Sequence, residues 1–134
     1  MLFKVLWIIF LSAMLILSLC LFLVKPGKRR IEALDTRYFA HRGLHDERIP
    51  ENSLKAFEMA RKFGVGVELD VQLTKDHRLV VFHDEDLLRM CGVPMKIGDL
   101  TYRELLSYRL KGSDETIPLF EDVLAVLVDL PVIC

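Results

Sequence analysis

The stretch Val67-Glu68-Leu69-Asp70-Val71 constrains the fold of this chain more than any other. It lies within an alternating run of strand formers, Val65, Val67, Leu69, Val71 and Leu73. Residues i and i+2 of a strand share a face, so Glu68 and Asp70 are predicted side by side, with apolar residues opposite. Two carboxylates turned toward the inside of a fold repel each other and lose hydration, at several kcal/mol per ion. A divalent, oxygen-ligated cation such as Mg²⁺ or Ca²⁺ removes that cost. An edge strand with both acids in water has the same spacing, and the neighbouring residues decide between the two.

The chain opens with a different kind of segment. Val5 to Val24 is an almost unbroken apolar run, interrupted by Ser12 and Ser18. A hydrocarbon core about 30 Å thick takes about 20 such residues. A cleaved signal peptide has a shorter apolar region and a small-residue cleavage site, and Leu21-Phe22-Leu23-Val24 offers none. Leu17-Ser18-Leu19-Cys20 has the outline of a lipoprotein cleavage box, but the bulky Leu19 argues against it. Residues 1–24 are therefore read as an uncleaved transmembrane anchor, embedded through residues 5–24. Lys25, Lys28, Arg29 and Arg30 follow the run, whereas Lys4 and the amino terminus precede it. Basic residues tend to stay on the cytoplasmic side. That bias puts the rest of a single-pass chain in the cytoplasm, with an extracytoplasmic placement as the alternative.

The formal net charge is −1, so no nucleic-acid footprint shows. Residues 25–30 read as a membrane-surface stop signal. Of the three cysteines, Cys20 lies in the apolar run, Cys91 is isolated and Cys134 is the last residue. With no CxxC pair, neither a disulfide frame nor a structural zinc site is expected.

Beyond a basic and polar linker at residues 25–36, apolar strands alternate with amphipathic helices. Arg37-Tyr38-Phe39-Ala40 predicts a short strand ending in His41-Arg42-Gly43. Pro50-Glu51-Asn52 predicts a turn. Ser53 then caps a helix with Leu54, Phe57 and Ala60 on one stripe, closed by Gly64. The strand Val65–Leu73 leads through a turn, Thr74-Lys75-Asp76-His77, to a second apolar strand, Leu79–Phe82, ending in His83-Asp84. Thr101 and Glu104 form a capping box ahead of a helix running to Leu110 and stopped by Gly112. A last helix is expected from Leu119 to about Val128, and Leu130–Cys134 reads as the start of a further strand. This alternation argues for the α/β class with a parallel sheet. Three times, polar chemistry follows a strand at its C-terminal end, where (β/α)₈ barrels carry their active sites. The expected fold is thus a partial (β/α)₈ TIM-type barrel, its first three to four βα units, over residues 37–134. About 100 residues remain there, against about 250 for a barrel. Such a piece leaves a sheet edge and an apolar inner face open.

These residues suit phosphodiester cleavage. A cation on Glu68 and Asp70 would neutralise phosphate charge and polarise a hydroxyl. Arg42 offers a planar fork for non-bridging phosphate oxygens. His41 and His83 can divide the proton work, one deprotonating the nucleophile and the other protonating the leaving alkoxide. Which does which is open. Taken singly, each has a plainer explanation: a loop histidine, a surface arginine, a turn shaped by Glu51 and Asn52. Their convergence on one predicted rim is what favours chemistry.

At these residues the chain resembles the glycerophosphodiester phosphodiesterases. The matching pieces are HRG (41–43), PENS (50–53), VELDVQLTKD (67–76), VVFHD (80–84), LTYREL (100–105) and IPLFEDVL (117–124), in the family's order and spacing. The resemblance implies a (β/α)₈ barrel that hydrolyses glycerophosphodiesters to sn-glycerol 3-phosphate and an alcohol. It also implies a divalent cation, Ca²⁺ or Mg²⁺. Carried over, His41 and His83 are the acid/base pair, Arg42 binds phosphate, Glu68 and Asp70 bind metal, and Glu51 and Asn52 support them. The implied reaction begins with attack of the substrate glycerol's own hydroxyl on phosphorus, and water then opens the cyclic phosphate.

Two departures stand out. The family's third metal carboxylate lies in a strand just past the position of Cys134, so these residues alone are expected to turn over little. His77 replaces the usual glycine of the Lys-Asp-Gly turn, which should strain the turn slightly. Two other readings compete: a related barrel phospholipase acting on intact lipids, and a non-catalytic, membrane-tethered remnant.

Overall fold

The computed structural model describes residues 2–23 and 38–134. They fall into two units. The first is helix α1, Leu2–Leu23, with Lys4 as its one charged residue. Among the described residues no helix is long and apolar enough to cross a membrane. The transmembrane helix expected over residues 5–24 is thus not shown by the structure. The linker expected at 25–36 lies outside the described residues.

The second unit begins with strand β1, Phe39–His41, followed by helix α2, Leu54–Phe63. Ser53 caps α2 as expected, its hydroxyl accepting from the Ala56 amide, and Gly64 closes it in the left-handed conformation. The apolar stripe carries Phe57 and Ala60 into the core. Strand β2, Gly66–Glu68, pairs in parallel with β1, so that Ala40 faces Val67 and His41 faces Glu68. Helix α5, Phe120–Val126, returns the chain to strand β5, Val132–Ile133, which pairs in parallel with the other side of β2. The sheet order is β1-β2-β5. Phe57, Ala60, Val67, Leu69, Val81, Val123 and Leu127 form the core between this sheet and the two helices.

The expected strand 65–73 divides at Leu69-Asp70. Its second part is β3, Val71–Leu73, which pairs antiparallel with β4, Leu79–Val81. This corrects the expectation that Leu79–Phe82 is a parallel barrel strand. The connection Thr74–Arg78 is a tight turn, whereas a parallel pair needs a crossover of about a dozen residues or more. The parallel sheet therefore holds three strands. Between β4 and α5 the chain builds a second apolar cluster, including Val80, Phe82, Leu87, Met90, Ile97, Leu105 and Leu110. It contains the short helices α3, Leu88–Cys91, and α4, Tyr102–Leu105. The Thr101/Glu104 capping box is present, but the helix stops after one turn instead of reaching Leu110. The Leu110 amide donates to the Glu115 carbonyl (2.9 Å), so the chain closes on a loop instead.

Candidate active site

Strand β1 ends at His41, and the next two residues are left-handed, Arg42 at φ 55° and Gly43 at φ 82°. A Cβ on Gly43 would come within 2.9 Å of the Ala56 Cβ, so only glycine lets this turn lie on α2. The Arg42 amide donates to the Glu68 carbonyl (2.8 Å), and the Arg42 carbonyl accepts from the Asn52 amide (2.9 Å). The turn before α2 and the ends of β1 and β2 are thereby tied at one point. Glu51 and Asn52, only 8% and 2% exposed, are buried beneath it.

Glu68 and Asp70 line the same open cavity of about 460 Å³, with Leu69 between them in the core. Gln72 and His83 line it too. His41 Nε2 lies 3.8 Å from Glu68 Oε2, and Arg42 Nε lies 3.5 Å from Asp70 Oδ2. Neither contact is a hydrogen bond, and all three of Arg42 Nε, Glu68 Oε2 and Asp70 Oδ2 are buried without a hydrogen-bond partner. The remaining such atoms among the described residues are Asn52 Nδ2 and Oδ1. Buried polar groups are almost always satisfied, so this concentration is consistent with a ligand or water at this point. Two carboxylates with orphaned oxygens suit a hard cation. Among the described residues, however, no group of three or more His, Cys, Asp or Glu is placed to hold one.

A second set of contacts runs behind the cavity. Arg42 Nη1 donates to Glu51 Oε1 (2.8 Å). Arg89 donates to both oxygens of Glu51, at 3.0 and 2.7 Å. The same guanidinium donates to both oxygens of Asp84, at 2.6 and 3.1 Å. Asp84 Oδ1 lies 2.6 Å from His83 Nδ1. The Arg89 hydrogen bonds hold the Glu51 carboxyl down at about 2 despite burial, with Arg42 adding to them. Arg89 also holds Asp84 at about 2, against burial and with help from His83. Both acids are therefore ionised at neutral pH, and an ionised carboxylate only accepts. His83 must then donate from Nδ1, leaving Nε2 for other partners.

Every residue picked out from the sequence is near this point: His41 beside Glu68, Arg42 between Asp70 and Glu51, His83 on the cavity wall. Arg89 and Gln72 were not picked out. The Gln72 amide donates to the carbonyls of Phe82, His83 and Asp84, at 3.0, 3.0 and 2.7 Å. In sequence Gln72 is an ordinary polar residue between two apolar ones, and Arg89 a charge among hydrophobics. Neither carries a local signal.

A family model described as the glycerophosphoryl diester phosphodiesterase family matches residues 41–132. The chain belongs to the glycerophosphodiester phosphodiesterase family. A glycerophosphodiester phosphodiesterase of Bacillus altitudinis is 46% identical over 99 residues, covering 69% of this chain and 40% of that protein. A human lysophospholipase D is 35% identical over 118 residues, covering 78% of this chain and 37% of its own length. Among solved structures, an Oleispira antarctica phosphodiesterase in complex with its product sn-glycerol 3-phosphate is 31% identical with a TM-score of 0.64, over 70% of this chain and 41% of that one. The Thermotoga maritima glycerophosphodiester phosphodiesterase is 38% identical with a TM-score of 0.61, over 70% and 40%. The chain thus spans about two fifths of these glycerophosphodiesterase relatives, and within that span it shares their fold.

Proposed function

We propose that these residues serve the hydrolysis of glycerophosphodiesters to sn-glycerol 3-phosphate and an alcohol, with Glu68 and Asp70 holding a Ca²⁺ or Mg²⁺ ion. The observation that carries this reading is the set of orphaned atoms: Arg42 Nε, Glu68 Oε2 and Asp70 Oδ2 are all buried, with no hydrogen-bond partner. A phosphodiester and a cation supply the missing acceptor and the missing positive charge together. When bound, the cation neutralises phosphate charge and lowers the cost of forming an alkoxide. Arg42 grips a non-bridging oxygen, its Nη1 anchored on Glu51 so that the guanidinium plane is fixed. One histidine takes the proton from the attacking hydroxyl as the new P–O bond forms. The other gives a proton to the alkoxide as the old P–O bond breaks. Whichever of the two steps His83 performs, it acts through Nε2, because its Nδ1 is engaged by Asp84. Glu51 and Asn52 support Arg42 from beneath.

Calorimetric titration of the chain with Ca²⁺ or Mg²⁺ tests this. Binding is expected, and Asp70→Asn should weaken it roughly tenfold, about 1.4 kcal/mol. Equal binding by both proteins overturns the cation site and favours the reading of a non-catalytic, tethered remnant. With two carboxylates at the cation position among the described residues, the 134-residue chain is expected to release little or no glycerol 3-phosphate from glycerophosphocholine by itself. The human relative's name favours a second reading, in which the lipid substrate keeps an acyl chain. Assaying longer proteins that carry this sequence on glycerophosphocholine and lysophosphatidylcholine separates the two.

Residues 5–24 are proposed as a single-pass anchor. The sequence there carries no charge over 20 residues, about what a span requires. The basic residues that follow it favour the cytoplasmic side for residues 37–134. Resistance to alkaline extraction, with protease sensitivity from the cytoplasmic face, is the expected result.

A further inference from the structure

The contacts behind the cavity form an unbroken line, Arg42–Glu51–Arg89–Asp84–His83, with every hydrogen bond between 2.6 and 3.1 Å. Its ends are the proposed phosphate-gripping guanidinium and a proposed proton-transferring imidazole. Its centre is Arg89, which approaches Glu51 with Nη1 and Nη2 and Asp84 with Nε and Nη2. Engaging two carboxylates in bidentate fashion at once requires a planar fork, and an ammonium group does not reproduce it. Arg89 is held for this from its other side. Its neighbours Leu87 and Met90 are buried in the second apolar cluster, at 0% and 3% exposure, which fixes the short helix α3. The turn bearing Glu51 and the loop bearing Asp84 meet through this one side chain.

We propose that Arg89 is a positioning residue: its guanidinium clasps Glu51 and Asp84 together, sets the spacing of Arg42 and His83, and keeps the His83 proton on Nδ1 so that Nε2 faces the substrate. The roles of the two ends rest on the function proposed above, whereas the clasp does not. Asp84 is flexible beside His83 unless something immobilises its carboxylate, and Arg89 takes both of its oxygens. Once that hold is lost, Asp84 turns toward water and His83 is free to adopt its other tautomer.

The test is a ¹⁵N side-chain spectrum of the histidines in the full 134-residue chain in detergent micelles, recorded above the ordinary histidine titration range. Wild type is expected to show His83 protonated at Nδ1. Arg89→Lys, which keeps the charge and loses the fork, should lose Nδ1–H as the dominant form, and so should Arg89→Gln. Backbone amide spectra away from residues 42, 51–52 and 83–89 should match wild type in both. A His83 that stays protonated at Nδ1 in Arg89→Lys overturns the proposal, because charge alone then suffices. One that stays so in Arg89→Gln overturns it because Arg89 then plays no part. Should one variant fail to fold, the other carries the same decision, since Arg89 is partly exposed and its two replacements perturb packing differently. The readout needs no turnover, so failure of the clasp and failure of the phosphodiesterase reading are separately visible.

Discussion

Gln72 shows how much a single side chain contributes to holding this site. Its amide nitrogen serves the three consecutive carbonyls of Phe82, His83 and Asp84, so it fixes the backbone from which the imidazole hangs. Gln72→Glu removes the donors and sets a carboxylate against those oxygens. A loss of about 1–3 kcal/mol is expected, read as a lower denaturant midpoint at unchanged slope. Glu51 makes a second residue-scale case. Its carboxyl lies at about 2 in the folded chain against an ordinary 4.5. A lowered folded value means stabilisation that is present above 4.5 and is lost as the pH falls toward 2. Denaturant midpoints measured across that window should drop in wild type and drop less in Glu51→Gln, which starts lower at neutral pH by on the order of 2 kcal/mol. The acids at 68 and 70 stand out in the sequence because an i, i+2 spacing speaks directly to strand geometry, although the strand itself divides at Leu69-Asp70. Arg89 was not, because its partners lie five residues upstream and 38 residues upstream, and no periodicity links them.

At the scale of elements, the hairpin β3–β4 is the instructive error. The apolar run Leu79–Phe82 reads as a buried strand whichever way it runs, and hydrophobicity carries no direction. The direction was available in the length of the turn that precedes it. That turn is well built: Thr74 is buried, its hydroxyl donates to Asp76 (2.6 Å) and accepts from the Arg78 amide (2.9 Å). His77 in it is left-handed at φ 57°, a conformation that favours glycine. His77→Gly should therefore raise stability by about 0.5–1 kcal/mol, seen as a higher melting temperature, and a lower one refutes the strain. Caps were legible throughout, since Ser53 and the Thr101/Glu104 pair act over three residues. Helix length was not, because the stop after Leu105 is set by burial of Leu110 in a cluster assembled from distant positions.

The whole molecule holds a three-stranded parallel sheet whose outer strands, β1 and β5, each pair on one side among the described residues. Open edges and the exposed Leu73, Leu79 and Ile133 favour self-association. Residues 31–134 alone are expected to sediment as oligomers or to melt broadly, and a sharp cooperative transition of a monomer would contradict this. The family and its α/β class were readable from motif order because a barrel returns each strand end to one rim. Within the molecule, β4 also acts as a partition. Val80 and Phe82 face one apolar cluster and Val81 the other. Glu68 and Asp70 flank Leu69 of the cluster that holds Val81, and His83 follows Phe82 of the other. Loosening the compartment around Ile97 is expected to let His83 drift while Glu68 and Asp70 hold their places, so the proton transfer and the cation binding proposed for them would fail one at a time.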